Sequence, residues 1–285
     1  MGYSLTLHKE NWYQITNDIL TYENTCMTIN NTTIDRKVFV HGEKIYVNFE
    51  GMEGFVEKES KVSLGLDLSV LNYFRDTLYY TPDIFSDYDN ATKASIKTFG
   101  TYLSAAYPYL NDNNYVLKIN IWDKIGEGTF QFEMPFNVVQ NEGISVNNQY
   151  CDYQTIGLFD PKPRNVITSN KILVEGTFQL YLQGISNFKN IESKVYPGML
   201  LEFTDYQGNT QNSDNVLASI SESGIYAKVF NRYFSTNLSL GSEKSEKETE
   251  TPGEVTAIIF DTKSKAEIEV IIKVILIDNC QVSHY

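Results

Sequence analysis

Carboxylates offer this chain its most plausible chemistry. Asp83, Asp87 and Asp89 crowd into the stretch PDIFSDYDNAT. Three oxygen donors so close could converge on Ca²⁺, but the stretch lacks the glycine and terminal glutamate of an EF-hand loop. Capping a helix start and complementing its dipole is the ordinary use of such residues. Glu127 with Glu133, or with Glu175, has the residue types of a glycoside hydrolase pair; nothing in the spacing sets them face to face. The three histidines, His8, His41 and His284, include no pair at helical metal spacing and no HExxH. Cys26, Cys151 and Cys280 form no Cys-x-x-Cys, so neither a disulfide framework nor a structural zinc site is expected. Cys151 has no histidine beside it in sequence and reads as a buried structural thiol. Phosphate-cradling glycine loops and Gly-x-Ser-x-Gly are absent. The expectation is a protein without cofactor or metal, and not an enzyme. Trp12 and Trp122, with the tyrosines at 79–80, 102–109 and 150–153, could form a platform for a glycan; packing in cores and interfaces is their more common role.

The elements around these residues read mainly as β-strands. Ile172, Val174, Phe178, Leu180 and Leu182 alternate with polar residues or glycine, the period of a half-buried strand. The same period appears in Leu117–Trp122, in Phe130–Val138 and in Glu267–Ile277. Pro135 would put its strand at an edge or on a bulge. Val38–Val40 and Ile45–Phe49 flank His41–Lys44, a candidate hairpin turn. Val216–Phe234 is strand-like, broken at Ser221–Gly224. Residues 66–107 differ: Leu66, Val70, Leu71, Phe74 and Leu78 sit near helical spacing, and a second helix is expected from about Ser86 to Ala106. The predicted fold is therefore mainly β with a two-helix insertion (α+β), in antiparallel β-sandwich or β-barrel modules. Asp160-Pro161-Lys162-Pro163 is a stiff connector, which suggests domains at 1–160 and 161–285, or one continuous domain. Glu127–Gln131 and Glu175–Gln179 both read EGTFQ, through a duplicated β-unit or by chance. Gly241–Glu254 is highly charged and reads as a surface loop.

Composition narrows the partners. The chain has 285 residues, 23 basic against 36 acidic, and a net charge of −13. Nucleic acid and anionic membrane both need clustered Lys and Arg, and there is no basic run. No apolar run reaches the length of a membrane span. The N-terminus lacks the basic and apolar segments of a signal peptide, so residence in a reducing cytoplasm is expected, and the sequons at Asn30, Asn31, Asn90 and Asn237 read as chance.

Val195–Phe203 (VYPGMLLEF), Val216–Ile220 and Ser223–Ala227 carry a Pro-Gly turn into an apolar strand, then a short Ala-containing strand and a Gly-Ile step. This pattern resembles small β-barrel modules in capsid-decorating and head-fibre proteins of tailed bacteriophages. The resemblance implies a virion structural subunit (capsid, decoration, collar or tail) assembled in a host cytoplasm. Its partners would be copies of itself and other proteins of the particle. The apolar strands then suggest an interface at Tyr196, Met199, Leu201, Phe203, Ile271, Ile275 and Ile277. A carbohydrate- or receptor-binding β-module is the alternative, and a β-fold glycoside hydrolase the third.

Overall fold

The computed structural model describes residues 4–6, 13–86, 92–93, 95–106, 113–162, 164–173, 177–239 and 250–277. Contacts divide the chain into two units, Met1–Val139 and Gln140–Tyr285. Each has its own apolar core.

In unit 1, alternation builds a long central hairpin. Tyr115, Leu117, Ile119 and Ile121 of Asn113–Asp123 are buried, as are Phe130, Phe132, Met134, Phe136 and Val138 of Thr129–Val139. The two strands belong to a 7-stranded sheet in the order Ser4–Thr6, Gln14–Asp18, Thr129–Val139, Asn113–Asp123, Leu64–Leu71, Thr77–Thr81. Val38–Val40 completes it, parallel to Asn137–Val139. A 4-stranded sheet runs Phe99–Ser104, Lys44–Glu50, Asn24–Ile29, Thr32–Thr33. Phe49 from this sheet meets Phe130 and Phe132 from the other at ring distances of 5.0 and 5.5 Å. The inner faces thus form a sandwich core.

Pro135 lies mid-strand without a bulge, opposite Val116. Asn137 donates its N–H to Lys37 O, so by alternation position 135 faces that same side. Gln14–Asp18 covers that side only at Thr129–Glu133, and Val38–Val40 only from Asn137. Proline occupies the gap between the two partners, where a missing N–H costs no ladder bond.

Unit 2 has a 6-stranded sheet, Ile144–Gln149, Glu267–Ile277, Glu250–Asp261, Pro197–Thr204, Thr210–Asn212, with Lys171–Leu173 parallel to Ile275–Ile277. Its 4-stranded sheet runs Phe234–Ser239, Thr177–Gln183, Thr155–Asp160, Asn165–Ile167.

Among the described residues, the two units repeat one module across both main sheets, Ser4–Thr6 alone of the main-sheet strands having no counterpart in unit 2. Leu66 pairs with Ile121, and Met199 with Ile259. Tyr46 pairs with Thr28, and Gln179 with Phe159. Phe99 pairs with Phe49, and Phe234 with Leu182. Even the parallel pair recurs: Val38 lies beside Asn137, and Lys171 beside Ile275. One shift, 133 positions (38 to 171, 46 to 179, 66 to 199), serves most strands, 138 (121 to 259, 137 to 275) serves the last hairpin, and 131 (28 to 159) and 135 (99 to 234) serve the strands flanking Lys44–Glu50 and Thr177–Gln183.

A sequence signature accompanies the repeat. Glu59-Ser60-Lys61-Val62 recurs as Glu192-Ser193-Lys194-Val195, and Gly65 and Gly198 follow three residues later. Glu59, Ser60, Glu192 and Ser193 all have positive φ, the backbone of a two-residue hairpin turn. A Cβ at Gly65 would overlap the Trp122 ring, and one at Gly198 the Phe260 ring. Each glycine is covered by an aromatic side chain from the neighbouring strand, so no larger residue fits.

Several expectations are corrected. The helical insertion at 66–107 is absent from its described residues: Leu64–Leu71, Thr77–Thr81 and Phe99–Ser104 are strands. Leu66 and Val70 point inward at strand period with Leu64 and Leu68, whereas Phe74 sits in the exposed turn that follows. Their apparent helical spacing joins residues of unlike environment. Val216–Phe234 instead contains the helices Ala218–Ser223 and Ala227–Arg232. There Ala227 and Phe230, three residues apart, are buried together. His41-Gly42 does turn the chain, but Val38–Val40 and Lys44–Glu50 enter different sheets rather than one hairpin. The EGTFQ copies fall in non-equivalent strands, Thr129–Val139 of the larger sheet and Thr177–Gln183 of the smaller. Asp160 pairs with Asn165 in a hairpin inside unit 2, and the division between units falls at Val139; Pro163 lies outside the described residues. Glu250–Glu254, expected in the charged loop, begins a strand; 240–249 lie outside the described residues.

Candidate functional site

On the large sheet, the strand before the outermost one ends in a five-residue turn, and the turn is common to both units. In unit 1 the N–H of Asp76 donates to Asn72 Oδ1 at 2.9 Å, and Asn72 Nδ2 donates to Asp76 Oδ2 at 3.0 Å. In unit 2 the N–H of Asn209 donates to Asp205 Oδ1 at 2.8 Å, and Asn209 Nδ2 donates to Asp205 Oδ2 at 2.8 Å. The amide and the carboxylate have exchanged places. The Asn209 side chain, followed by backbone N–H groups, holds the Asp205 carboxyl below the usual carboxylate range. Arg75 and Gly208 occupy the same left-handed position, at φ 67 and 84. Asn215 repeats Asp83 downstream: each side-chain oxygen accepts two N–H groups, from Met199 and Leu217 in one case and Leu66 and Phe85 in the other.

What the turns present differs. In unit 1 Tyr73 and Phe74 are 75% and 80% exposed and meet edge to face. The strand that follows, Thr77–Thr81, has no charged residue, and its Leu78, Tyr79 and Tyr80 are 39%, 46% and 55% exposed. Among the described residues, no strand pairs with its outer side. Its counterpart in unit 2 is Thr210-Gln211-Asn212, short and wholly polar. Proteins normally blunt an exposed edge with charge, proline or brevity. Unit 2 does so; unit 1 has only the bulge between Thr77 and Tyr79 and the proline after Thr81.

The other candidates are placed as follows. Trp12, Glu175, Asp87, Asp89, His8, His284 and Cys280 lie outside the described residues. Asp83 is tied up by Leu66, Phe85 and Lys124, the last at 2.6 Å. Partial burial pushes its carboxyl up, but Lys124 and the two N–H groups outweigh this and hold it below the usual range. Glu127 is exposed in a turn. Glu133 is engaged by Arg75 at 3.2 Å, Lys118 at 3.6 Å and the Gln131 amide at 2.8 Å. The Trp122 indole has one face spent on Gly65, and Phe260 over Gly198 does the same in unit 2. Trp122 does neighbour the Asp67–Asn120 pair, hydrogen-bonded at 2.6 Å.

Of the residues expected at an interface, Met199 is fully buried, and Leu201 and Phe203 pack against the core of unit 2. Their apolar surface is largely used within their own sandwich. Tyr196 is half-buried beneath Lys263, whose Nζ lies 5.3 Å from the ring centre. Ile271 and Ile275 are half-buried on the opposite face from Ile272 and Val274. Ile277 is in the strand, opposite Glu250. Cys151 is buried and its thiol donates to Glu267 O at 3.2 Å; burial pushes its pKa up, which suits the structural role expected. His41 is also buried, and burial lowers its pKa to about 4.

Among the described residues, no group of three or more His, Cys, Asp and Glu could hold a metal ion. No helix there is long and apolar enough to cross a membrane. An open depression of about 480 Å³, lined by Asn190, Ser193, Tyr226, Ala227, Lys228 and Val229, contains no carboxylate. Sequence reading missed the Tyr73–Thr81 edge because it took that stretch for a helix. The repeated ESKV-x-x-Gly was the signal that could have found it, since it aligns Leu64–Leu71 with Pro197–Thr204.

No protein-family model matches the chain, and no curated protein matches it. A solved structure described as fibronectin(III)-like modules of Clostridium thermocellum CbhA is similar over 91% of this chain and 98% of that one, at 11% identity and a TM-score of 0.22.

Proposed function

We propose that the chain is a structural subunit that works by assembly, built from two copies of a β-sandwich module. The observation that carries this reading is the outer strand Thr77–Thr81, which is uncharged, aromatic and exposed on a chain of net charge −13. Exposed edges of this kind pair with further strands. Tyrosine suits such a contact, since its ring buries apolar area while its hydroxyl keeps a polar partner. A virion or similar particle, with the chain as a capsid, decoration, collar or tail component, is the setting that fits this role; of the segments that carry the phage resemblance, Pro197–Thr204 is the expected strand, whereas Val216–Ile220 runs into the helix Ala218–Ser223.

The test is the native mass of the purified chain across a concentration series. A discrete oligomer, or a ladder of assemblies growing with concentration, is the expected result. A monomer at every concentration overturns the proposal.

A further inference from the structure

We propose that the outer face of the large sheet of unit 1 binds a neutral glycan, along a line of side chains beside Trp122. Asp67, Asn120, Gln131 and Thr16 are cross-strand partners in succession, so they stand in one row across four strands. Their chain neighbours Leu66, Ile119, Phe130 and Ile15 are buried in the core, which sets the row on the outer face. Neighbouring strands lie about 4.8 Å apart. Hydrogen-bonding groups therefore repeat at close to the advance of one hexopyranose along an extended, β-linked chain. Trp122 stands in the next row, with one face on Gly65 and, since the residue is only half-buried, the other toward solvent. In the row on the far side, Tyr80 pairs with Ser69 in regular register and is 55% exposed. The polar row thus runs between two aromatic rings.

Sugars are recognised by this combination: aromatic faces stack on the C–H faces of pyranose rings, and a few fixed polar groups take the hydroxyls. Here the polar groups are fixed. Asn120 Nδ2 donates to Asp67 Oδ1 at 2.6 Å, and Gln131 Nε2 donates to Glu133 Oε1 at 2.8 Å. Among the described residues, these bonds leave Asp67 Oδ2, Asn120 Oδ1 and Gln131 Oε1 as acceptors for hydroxyl groups. Charge selects the class of glycan. Arg75 and Lys118, the cations described on this face, are both engaged by Glu133, at 3.2 and 3.6 Å, and Asp67 repels anions. An acidic sugar is therefore disfavoured. The same row in unit 2 reads Leu200, Ile258, Glu269 and Asn147, with Phe260 in the place of Trp122. The module folds with apolar residues at the first two positions, so the Asp67–Asn120 pair is not a requirement of the sheet.

Binding of the full chain to an array of short neutral oligosaccharides of hexoses and N-acetylhexosamines tests this, followed by titration calorimetry with the oligosaccharide that the array retains. Binding should persist in EDTA, since no metal-holding group is present among the described residues, and should be weaker for uronic-acid oligomers. Asp67→Leu with Asn120→Ile gives unit 1 the residues of unit 2. It should weaken binding about tenfold or more, the worth of the hydrogen bonds lost. Glu269→Gln, at the unit 2 position of Gln131, should leave binding unchanged. A second readout stands even if the double change folds poorly: in Trp12→Phe, Trp122 is the one indole left, and its fluorescence should shift when the oligosaccharide is added. Binding that survives the double change, with Trp122 emission unmoved, overturns the proposal. A parent that associates with itself but binds no oligosaccharide on the array overturns it too, and leaves the assembly reading standing.

Discussion

Asp123 and Asp261 end equivalent strands in the two units and hold equivalent groups. Asp123 accepts N–H groups from Val56 at 2.6 Å and Ile125 at 2.9 Å; Asp261 accepts them from Lys189 at 2.7 Å and Lys263 at 3.0 Å. Both carboxylates are buried. By contrast, Thr77–Thr81 and Thr210–Asn212, which occupy equivalent positions in the larger sheets of the two units, differ in length and polarity. Where the scaffold needs a particular group to satisfy buried backbone, the copies keep it. Where it needs only a strand, they are free to diverge. The divergence at the outer strand is therefore where a functional difference between the units can lie.

The cores allow the largest break in this comparison. Phe132 is fully buried in unit 1, with its ring 5.5 Å from Phe49 and 5.1 Å from Tyr13. Its counterpart is Val270, also fully buried. Phe132→Ala should cost about 3–5 kcal/mol, because a large cavity adds to the lost transfer energy. Val270→Ala should cost less, on the order of 1–3 kcal/mol, for its smaller volume. Calorimetry should show each change moving a different part of the unfolding profile. If both shift one and the same transition equally, the units do not unfold as separate bodies.

Acidification sharpens the contrast at a smaller scale. His41 belongs to unit 1, and burial lowers its pKa from 6.5 to about 4. Between those values the unfolded chain binds a proton that the folded chain does not. Stability is then complete above about pH 6.5 and lost as pH falls toward 4, by up to roughly 3 kcal/mol at about 1.4 kcal/mol per pH unit. Denaturant unfolding at pH 7 and pH 4.5 measures this. His41→Gln should flatten the slope for unit 1 and leave unit 2 unaffected; an unchanged slope would place the acid sensitivity in carboxylates instead.

How much of this could be read from residues alone depended on what each residue was constrained to do. The strands Asn113–Asp123, Thr129–Val139 and Glu267–Ile277 were legible because one face must be apolar at every second position. Leu64–Leu71 was not, since Gly65 and Ser69 on its other face are buried too and the alternation is blurred. The repeat was obscured for a related reason. Core positions ask only for apolar bulk, so Leu66 faces Met199 and Phe132 faces Val270 across the alignment, and little identity survives. ESKV-x-x-Gly survives where a positive-φ turn and an aromatic-covered glycine narrow the choice. EGTFQ, the longer match, lies in strands with different neighbours and reports nothing about ancestry. The edge was the least legible feature, because exposure and missing partners are properties of the sheet rather than of any one residue.

The smallest effect sought lies in the exchanged turn pair, and it tests the repeat most directly. In unit 1 an amide at position 72 serves a carboxylate at 76; in unit 2 a carboxylate at 205 serves an amide at 209. If the two turns are one device, then Asn72→Asp should place two carboxylates together and cost about 1 kcal/mol, the worth of a hydrogen bond exchanged for a repulsion. Asp76→Asn should cost less, since two amides can still donate and accept. The double change Asn72→Asp with Asp76→Asn rebuilds the arrangement of unit 2 and should recover most of the loss. That is a coupling of about 1 kcal/mol between the two sites, measurable in a double-mutant cycle by urea unfolding. Independent costs that simply add would mean that the side chains do not close the turn together, and that the matching geometry of the two units at this point is not maintained by the exchange.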